Sequence, residues 1–185
     1  MINDKNPTSL IIRKARISDV DKIEQIMKMS MLSLGQGYYS DEQIQSSCKY
    51  VCVPDKQIIE DGTYYVVEDE NGIMIACGGW SFRNTLYAGP KTQLNQDNKL
   101  DPKKDMARVR AMFVLPSMSG KGVGALILKT SEHEAKEFGF NRGTLGATQS
   151  GLAFYKAKGW VVMKEEIATL PDGIKIEITQ MEKDL

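Results

Sequence analysis

Apolar residues recur at Val20, Ile23, Ile26, Met27 and Leu32, the three- and four-residue spacing of one helix face. Ser18 precedes this run, and Asp19 and Asp21 suit the positive, N–H-rich start of a helix, so a helix is predicted from Ser18. Before it, Leu10, Ile11, Ile12 and Ala15 make residues 9–16 a short strand, and the polar residues 1–8 read as a frayed end. Ser40-Asp41-Glu42-Gln43 is a capping-box pattern that starts a second helix. Two β-rich runs, 63–69 and 72–82, flank Asn71-Gly72, a favoured hairpin turn, and the second carries Gly78-Gly79-Trp80. Residues 83–104 are polar, hold two prolines and have no period. They read either as a loop near a substrate site or as a tolerated insertion.

The second half is more regular. Val109, Ala111, Met112, Phe113 and Val114 leave residues 107–114 little polar surface, the mark of a central strand. A loop over 115–119 leads to Gly120-Lys121-Gly122-Val123-Gly124, and a helix then runs to about Phe138 with Gly139 as its stop. Residues 123–128 are nearly all apolar, so this helix must lie buried on a sheet. Residues 143–147 form another strand. Ser150 is predicted to cap a short helix through Lys158, stopped by Gly159. Strands near 160–167 and 174–181 flank the turn Leu170-Pro171-Asp172-Gly173. The order predicts one domain, a mixed α/β sheet with helices on its faces.

Charge narrows the function. Lys and Arg number 24, Asp and Glu 24, and this balance argues against a nucleic-acid scaffold while leaving room for a local basic patch. The cysteines, Cys48, Cys52 and Cys77, are odd in number and lack framework spacing, so they read as small buried hydrophobes. His133 is the only histidine and no metal site is expected. The first ten residues lack an apolar core, and no apolar run nears the roughly 20 residues of a membrane span. The expected location is therefore the cytoplasm, with no membrane partner.

The glycine-rich turn carries candidate chemistry. Glycines at 120, 122 and 124, between a strand and a buried helix, let a ligand approach the main chain closely. The first N–H groups of a helix lack intrahelical partners and face the positive dipole end, which suits a phosphate, and Lys121 adds a charge. The alternative is a glycine-rich surface loop. A Walker A loop would need Ser or Thr after Lys121, where Gly122 stands. A dinucleotide fingerprint is matched by Gly120-x-Gly122-x-x-Ala125, but the next strand ends Thr148-Gln149 without the required acid.

These residues resemble the GNAT superfamily of acyl-CoA-dependent N-acetyltransferases. The superfamily's Arg/Gln-x-x-Gly-x-Gly/Ala motif follows a strand ending in Val-x-Pro. Here Val114-Leu115-Pro116 precedes Ser119, Gly122 and Gly124. A second landmark, Asn followed by Ala-x-x-Phe-Tyr and Gly-Phe, corresponds to Thr148, Gly151-Leu152-Ala153-Phe154-Tyr155 and Gly159-Trp160. Ile12-Arg13-x-Ala15 fits the beginning. Tyr39-Ser40-x-Glu42-Gln43-Ile44, Cys77-Gly78-Gly79-Trp80-Ser81 and Arg108-x-Arg110-Ala111-x-Phe113-Val114 resemble an uncharacterised bacterial branch. Ser119, Thr148 and Gly151 depart from the usual Arg or Gln, Asn and Ala.

The resemblance implies a mostly antiparallel central sheet of six to seven strands, splayed at the acyl-CoA site, with helices on both faces. It implies acetyl-CoA as cofactor. Pantetheine would lie along Met112, Phe113 and Val114, and pyrophosphate on Ser119, Gly120, Lys121, Gly122, Val123 and Gly124. The helix from Ser150 would cover the other side, with Lys156 or Lys158 near the adenosine phosphates, or else simply solvated. Tyr155 is implied as the group that meets the departing thiolate. Arg108 and Arg110 share a strand face, and Arg110 reads as a binder of an acceptor carboxylate or as half of an internal ion pair. Trp80 and Ser81 read as acceptor-pocket lining, or Trp80 as core. No general base is assignable; Asp105, Asp41, Glu42 and a water chain stand equal. The implied reaction moves an acetyl group to a primary amine of a small molecule or peptide. The alternatives are a non-catalytic acyl-CoA sensor and, more remotely, a dinucleotide protein. A homodimer is compatible with the sequence.

Overall fold

In a computed structural model, residues 10–85 and 98–185 are described. Seven strands form one sheet in the order β1-β2-β3-β4-β5-β7-β6. They are β1 (Ile11–Lys14), β2 (Tyr64–Glu68), β3 (Met74–Ser81), β4 (Ala107–Val114), β5 (Arg142–Thr148), β6 (Val161–Thr169) and β7 (Lys175–Asp184). Among the described strands the only parallel neighbours are β4 and β5. The mixed, mostly antiparallel sheet expected from the sequence is the one observed.

Helices cover both faces. On one lie α1 (Val20–Leu34), α2 (Asp41–Tyr50) and the short α3 (Lys56–Glu60), whose Ile23, Met27, Ile44 and Ile58 pack on Val66 and Cys77. On the other lie α4 (Val123–Phe138) and α5 (Leu152–Ala157). There Val123 and Ile127 pack on Val67, Ile75 and Ala76, and Leu128 packs with Val109, Leu145 and Met181. The apolar start of α4 is thus buried, as its composition demands. No helix among the described residues is long and apolar enough to cross a membrane.

Local signals explain most boundaries. Ser40 accepts the Gln43 N–H and the Gln43 side chain returns to the Ser40 N–H, closing the capping box of α2. Gly139 ends α4 at φ 117°, a left-handed conformation that an L side chain resists. Two expectations need correction. Ser18 does not start α1: it lies in a 3-10 turn, Ile17–Asp19, and the α-helix begins at Val20, while the Asp19 carboxylate takes the Arg13 guanidinium at 2.7 and 3.1 Å and the Arg16 N–H at 2.8 Å and Glu68 holds the other side of Arg13. Ser150 does not cap α5 either. It lies in a 3-10 turn, and its hydroxyl pairs with that of Thr148 at 3.2 Å.

The stretch 83–104 has ordered ends. Arg83 bridges to Lys99, and the Leu100 N–H reaches the Phe82 carbonyl at 2.8 Å. Its middle, 86–97, and the end 1–9 lie outside the described residues.

The centre of the sheet is irregular in two linked ways. Cys77 pairs with Phe113 but Gly79 with Arg110, so Ala111 and Met112 together face Gly78 in a β-bulge. Ala111 sits at φ 50°, the only described non-glycine residue with positive φ. The bulge reverses the side-chain alternation along β4. Val109, Met112 and Val114 join the α4 side, while Ala111 and Phe113 join the α1 side. Beside the bulge, β4 and β5 pair only at Ala107–Gly143 and Arg108–Thr144, then part. This is the splay the resemblance implied.

Candidate active site

The gap between β4 and β5 opens a cavity of about 1000 Å³. Met112, Phe113 and Val114 of β4 form one wall, and Phe154 and Tyr155 of α5 and Gly146 and Thr148 of β5 another. Tyr38, Tyr39, Tyr50 and Met31 come from α1, α2 and their connection, and Ile176 and Ile178 from β7. Ser119, Gly120, Gly122, Gly124 and Ala125 line it from the start of α4.

That glycine turn presents unpaired donors. Gly120 and Gly122 adopt φ 73° and 82°, where only glycine is unstrained, and a Cβ on either would meet nothing within 4 Å. The N–H groups of Gly120, Gly122, Val123, Gly124 and Ala125 have no acceptor among the described residues; the first bond of α4 runs from Leu126 to Gly122. The Lys121 N–H reaches only the Met118 carbonyl, at 3.4 Å. Open space, orphan amides and a helix dipole therefore converge on one part of the cavity wall, an arrangement suited to an anion. The Val123 side chain is buried in the core, so only its amide is available, and the exposed Lys121 is not among the lining residues.

Tyr155 is half-buried, with its ring edge-on to Phe154 at 5.1 Å and to Trp160 at 6.3 Å. Its hydroxyl has no hydrogen-bond partner among the described residues. Loss of water around it pushes its pKa well above that of an ordinary phenol. A Cβ at Gly151 would stand 3.3 Å from the Tyr155 ring and 3.4 Å from Thr148 Oγ1, so the residue lies in close contact with both. Ser150 and Lys158 also line the cavity, Lys158 exposed at the end of α5, whereas Lys156 does not.

Arg110 lines the cavity and is 3% exposed, with Nη2 2.8 Å from Asp55 Oδ2. Trp80 and Ser81 are not brought to the site. Trp80 is buried edge-on against Phe138, Phe82 and Phe140, and the buried Ser81 hydroxyl accepts the Arg83 N–H at 3.0 Å. The sequence places Trp80 correctly at the end of a strand; the strand carries it into an aromatic core instead. Asp41, Glu42 and Asp105 are absent from the described lining, and Asp105 takes the Asp101 N–H at 2.8 Å.

Sequence reasoning missed the opposite wall. The Tyr39 hydroxyl accepts the Gln149 N–H at 2.8 Å and donates to the Glu177 carbonyl at 3.3 Å, tying the end of β5 to β7. Gln43 Nε2 donates to the Lys175 carbonyl at 2.7 Å, and Ser46 donates to the Asp172 carboxylate at 2.7 Å. These bonds hold the β6–β7 hairpin over α2. Nothing in the local pattern marks Tyr39 as lining, because its partners lie more than a hundred residues away.

The chain matches the family model "Acetyltransferase (GNAT) domain" over residues 60–162. Among solved structures it resembles a GCN5-related N-acetyltransferase from Rhodopseudomonas palustris, with TM-score 0.72, 17% identity and 97% of each chain covered. It also resembles the PaiA N-acetyltransferase of Thermoplasma acidophilum in complex with coenzyme A, with TM-score 0.67, 18% identity and coverage of 96% and 99%. A third, yncA of Salmonella typhimurium with its cofactor acetyl-CoA, gives TM-score 0.61, 18% identity and coverage of 96% and 94%. Among curated proteins no sequence matches.

Proposed function

Because the chain belongs to the GNAT acetyltransferase family, we propose that it moves an acetyl group from acetyl-CoA to a primary amine held in the same cavity. The observation that carries this reading is the row of orphan amides at Gly120 and Gly122 to Ala125, opening onto the space that Tyr155 lines. Two relatives of the same fold, solved with coenzyme A and acetyl-CoA, support it.

Acetyl-CoA supplies an activated thioester. The amides of Gly120 and of Gly122 to Ala125 would hold its diphosphate, with Ser119, Ser150 and Lys158 on the same cavity wall as further polar partners. The β5-facing edge of β4 at Met112, Phe113 and Val114, left without a neighbour by the splay, offers main-chain partners to the pantetheine arm. In the reaction the neutral amine nitrogen would gain the C–N bond, the C–S bond would break, nitrogen would lose one proton to solvent and sulfur would take one from solvent to leave as the thiol.

Tyr155 acts as a hydrogen-bond donor to sulfur as negative charge builds there. An ordinary thiol titrates near 8.5 and an ordinary phenol near 10, so complete proton transfer from tyrosine is uphill by about 2 kcal/mol. The raised pKa of Tyr155 makes that transfer harder still. A donated bond needs no transfer and stays available across the neutral range.

Free-thiol release from acetyl-CoA with a panel of primary amines tests the function. Amine-dependent release is expected. Heat stabilisation by coenzyme A with no release from any amine would leave a binding module and remove the transferase reading.

A further inference from the structure

Among the described residues, the part of the cavity made by α1, α2 and the β6–β7 hairpin offers a ligand no charge that it can reach. Its walls are Met31 and Leu34 of α1, Tyr50 of α2, Phe113 of β4, Leu170 between β6 and β7, and Ile176 of β7. No Asp or Glu is among the described lining residues, whose charged members are Arg110 and Lys158. Lys158 ends α5, on the wall that carries Tyr155. Arg110 is answered from within the protein: Nη2 lies 2.8 Å from Asp55 Oδ2, and neither Nη1 nor Nη2 has surface open to the cavity. Asp172, in the hairpin turn, is taken by the Ser46 hydroxyl of α2 at 2.7 Å. That bond and the one from Gln43 to the Lys175 carbonyl fix the hairpin over α2, so the chamber stands ready-made.

We infer that the acceptor is a primary monoamine with an uncharged apolar or aromatic body, selected by the wall at Leu34, Tyr50 and Leu170 against polyamines and amino acids. This rests on the acetyl-transfer reading above. An apolar body gains by leaving water for such a wall. A second ammonium, or a carboxylate, would lose its hydration there and find no opposite charge in return. The same desolvation disfavours the ammonium form of the reacting amine, and so favours the neutral nitrogen that attacks the thioester.

The test uses the full chain with saturating acetyl-CoA and three six-carbon amines that differ only at the far end: hexylamine, hexamethylenediamine and aminocaproate. Thiol release should favour hexylamine over each of the other two by about tenfold or more in kcat/KM, and over the shorter propylamine by about tenfold or more. Equal or better use of the diamine, of aminocaproate or of propylamine overturns the proposal. Leu34→Glu sets a carboxylate in the wall and should raise the diamine-to-hexylamine ratio by about tenfold. An unchanged ratio in the folded variant overturns the assignment of this wall, and if the variant does not fold the comparisons on the unaltered protein decide alone. Absence of thiol release with every amine defeats the transferase reading. Calorimetry in the presence of coenzyme A then still judges the chamber: N-acetyl-hexylamine should bind about tenfold or more tightly than N-acetyl-aminocaproate or singly acetylated hexamethylenediamine, and equal binding overturns the proposal.

Discussion

Tyr155 and the two left-handed glycines divide the work of the site between a side chain and the backbone, and substitutions should separate them. Tyr155→Phe keeps the ring packing against Phe154 and Trp160 and removes only the hydroxyl. Turnover should fall about tenfold or more while coenzyme A affinity, measured by calorimetry, stays the same. With its pKa raised, Tyr155 remains protonated through and beyond neutral pH. The shape of the kcat profile between pH 7 and 9 should therefore be the same in Tyr155→Phe as in the unaltered protein. Gly122→Ala should do the reverse: it strains a residue at φ 82°, costs about 1 kcal/mol of stability, and weakens coenzyme A binding by intruding on the amide cradle. The glycines were legible because their chemistry is local, as was the Phe154-Tyr155 pair through its motif. Between the two readings of Trp80, lining or core, and among the open candidates Asp41, Glu42 and Asp105, the sequence could not choose, since the direction of a side chain depends on the sheet register and on what packs across it.

At the scale of the element, the bulge in β4 is the least readable feature and the most consequential. Residues 107–114 look like an unbroken central strand, and the sequence predicts those bounds as observed. Nothing in them announces that Ala111 turns to φ 50°. The cause lies in other strands: Gly78 faces two residues at once, and a Cβ there would come within 2.8 Å of Met112. The buried Tyr64 also donates to the Ala111 carbonyl at 2.7 Å. Ala111→Val should cost about 2 kcal/mol or more, because a β-branched residue resists the left-handed region. Tyr64→Phe should cost about 1–3 kcal/mol by orphaning that carbonyl. Both are readable by chemical denaturation, and both should lower turnover more than a core substitution of equal cost. The start of α1 gives a pH signature. Hydrogen bonds from Arg13 hold the Asp19 carboxyl below its ordinary range. A depressed folded pKa stabilises above the unfolded value near 4 and is lost as pH falls below it. Asp19→Asn should flatten the stability profile on that acid side.

For the whole molecule, element order and the helix-covered sheet were readable from periodicity, caps and turn residues, because each is set within a dozen positions. The cavity was not, since it is made where β4, β5, β6 and β7 meet the four helices α1, α2, α4 and α5. Coenzyme A should raise the melting temperature as its concentration exceeds its dissociation constant, adding about 2.7 kcal/mol of stability at a hundredfold excess. Gly122→Ala should shift that response to higher ligand concentration.

The two residue pairs joining β4 to β5 have a mechanical meaning as well. The sheet is two plates welded at one corner, bridged beyond it by helix packing and by the Tyr39 tie across the gap. A bound thioester arm would act as the absent rung of a ladder, stitching the plates along their free margins. Deuterium should therefore enter the amides beside that seam readily in the empty protein and slowly once coenzyme A is added, leaving the β5–β7 ladder unaffected.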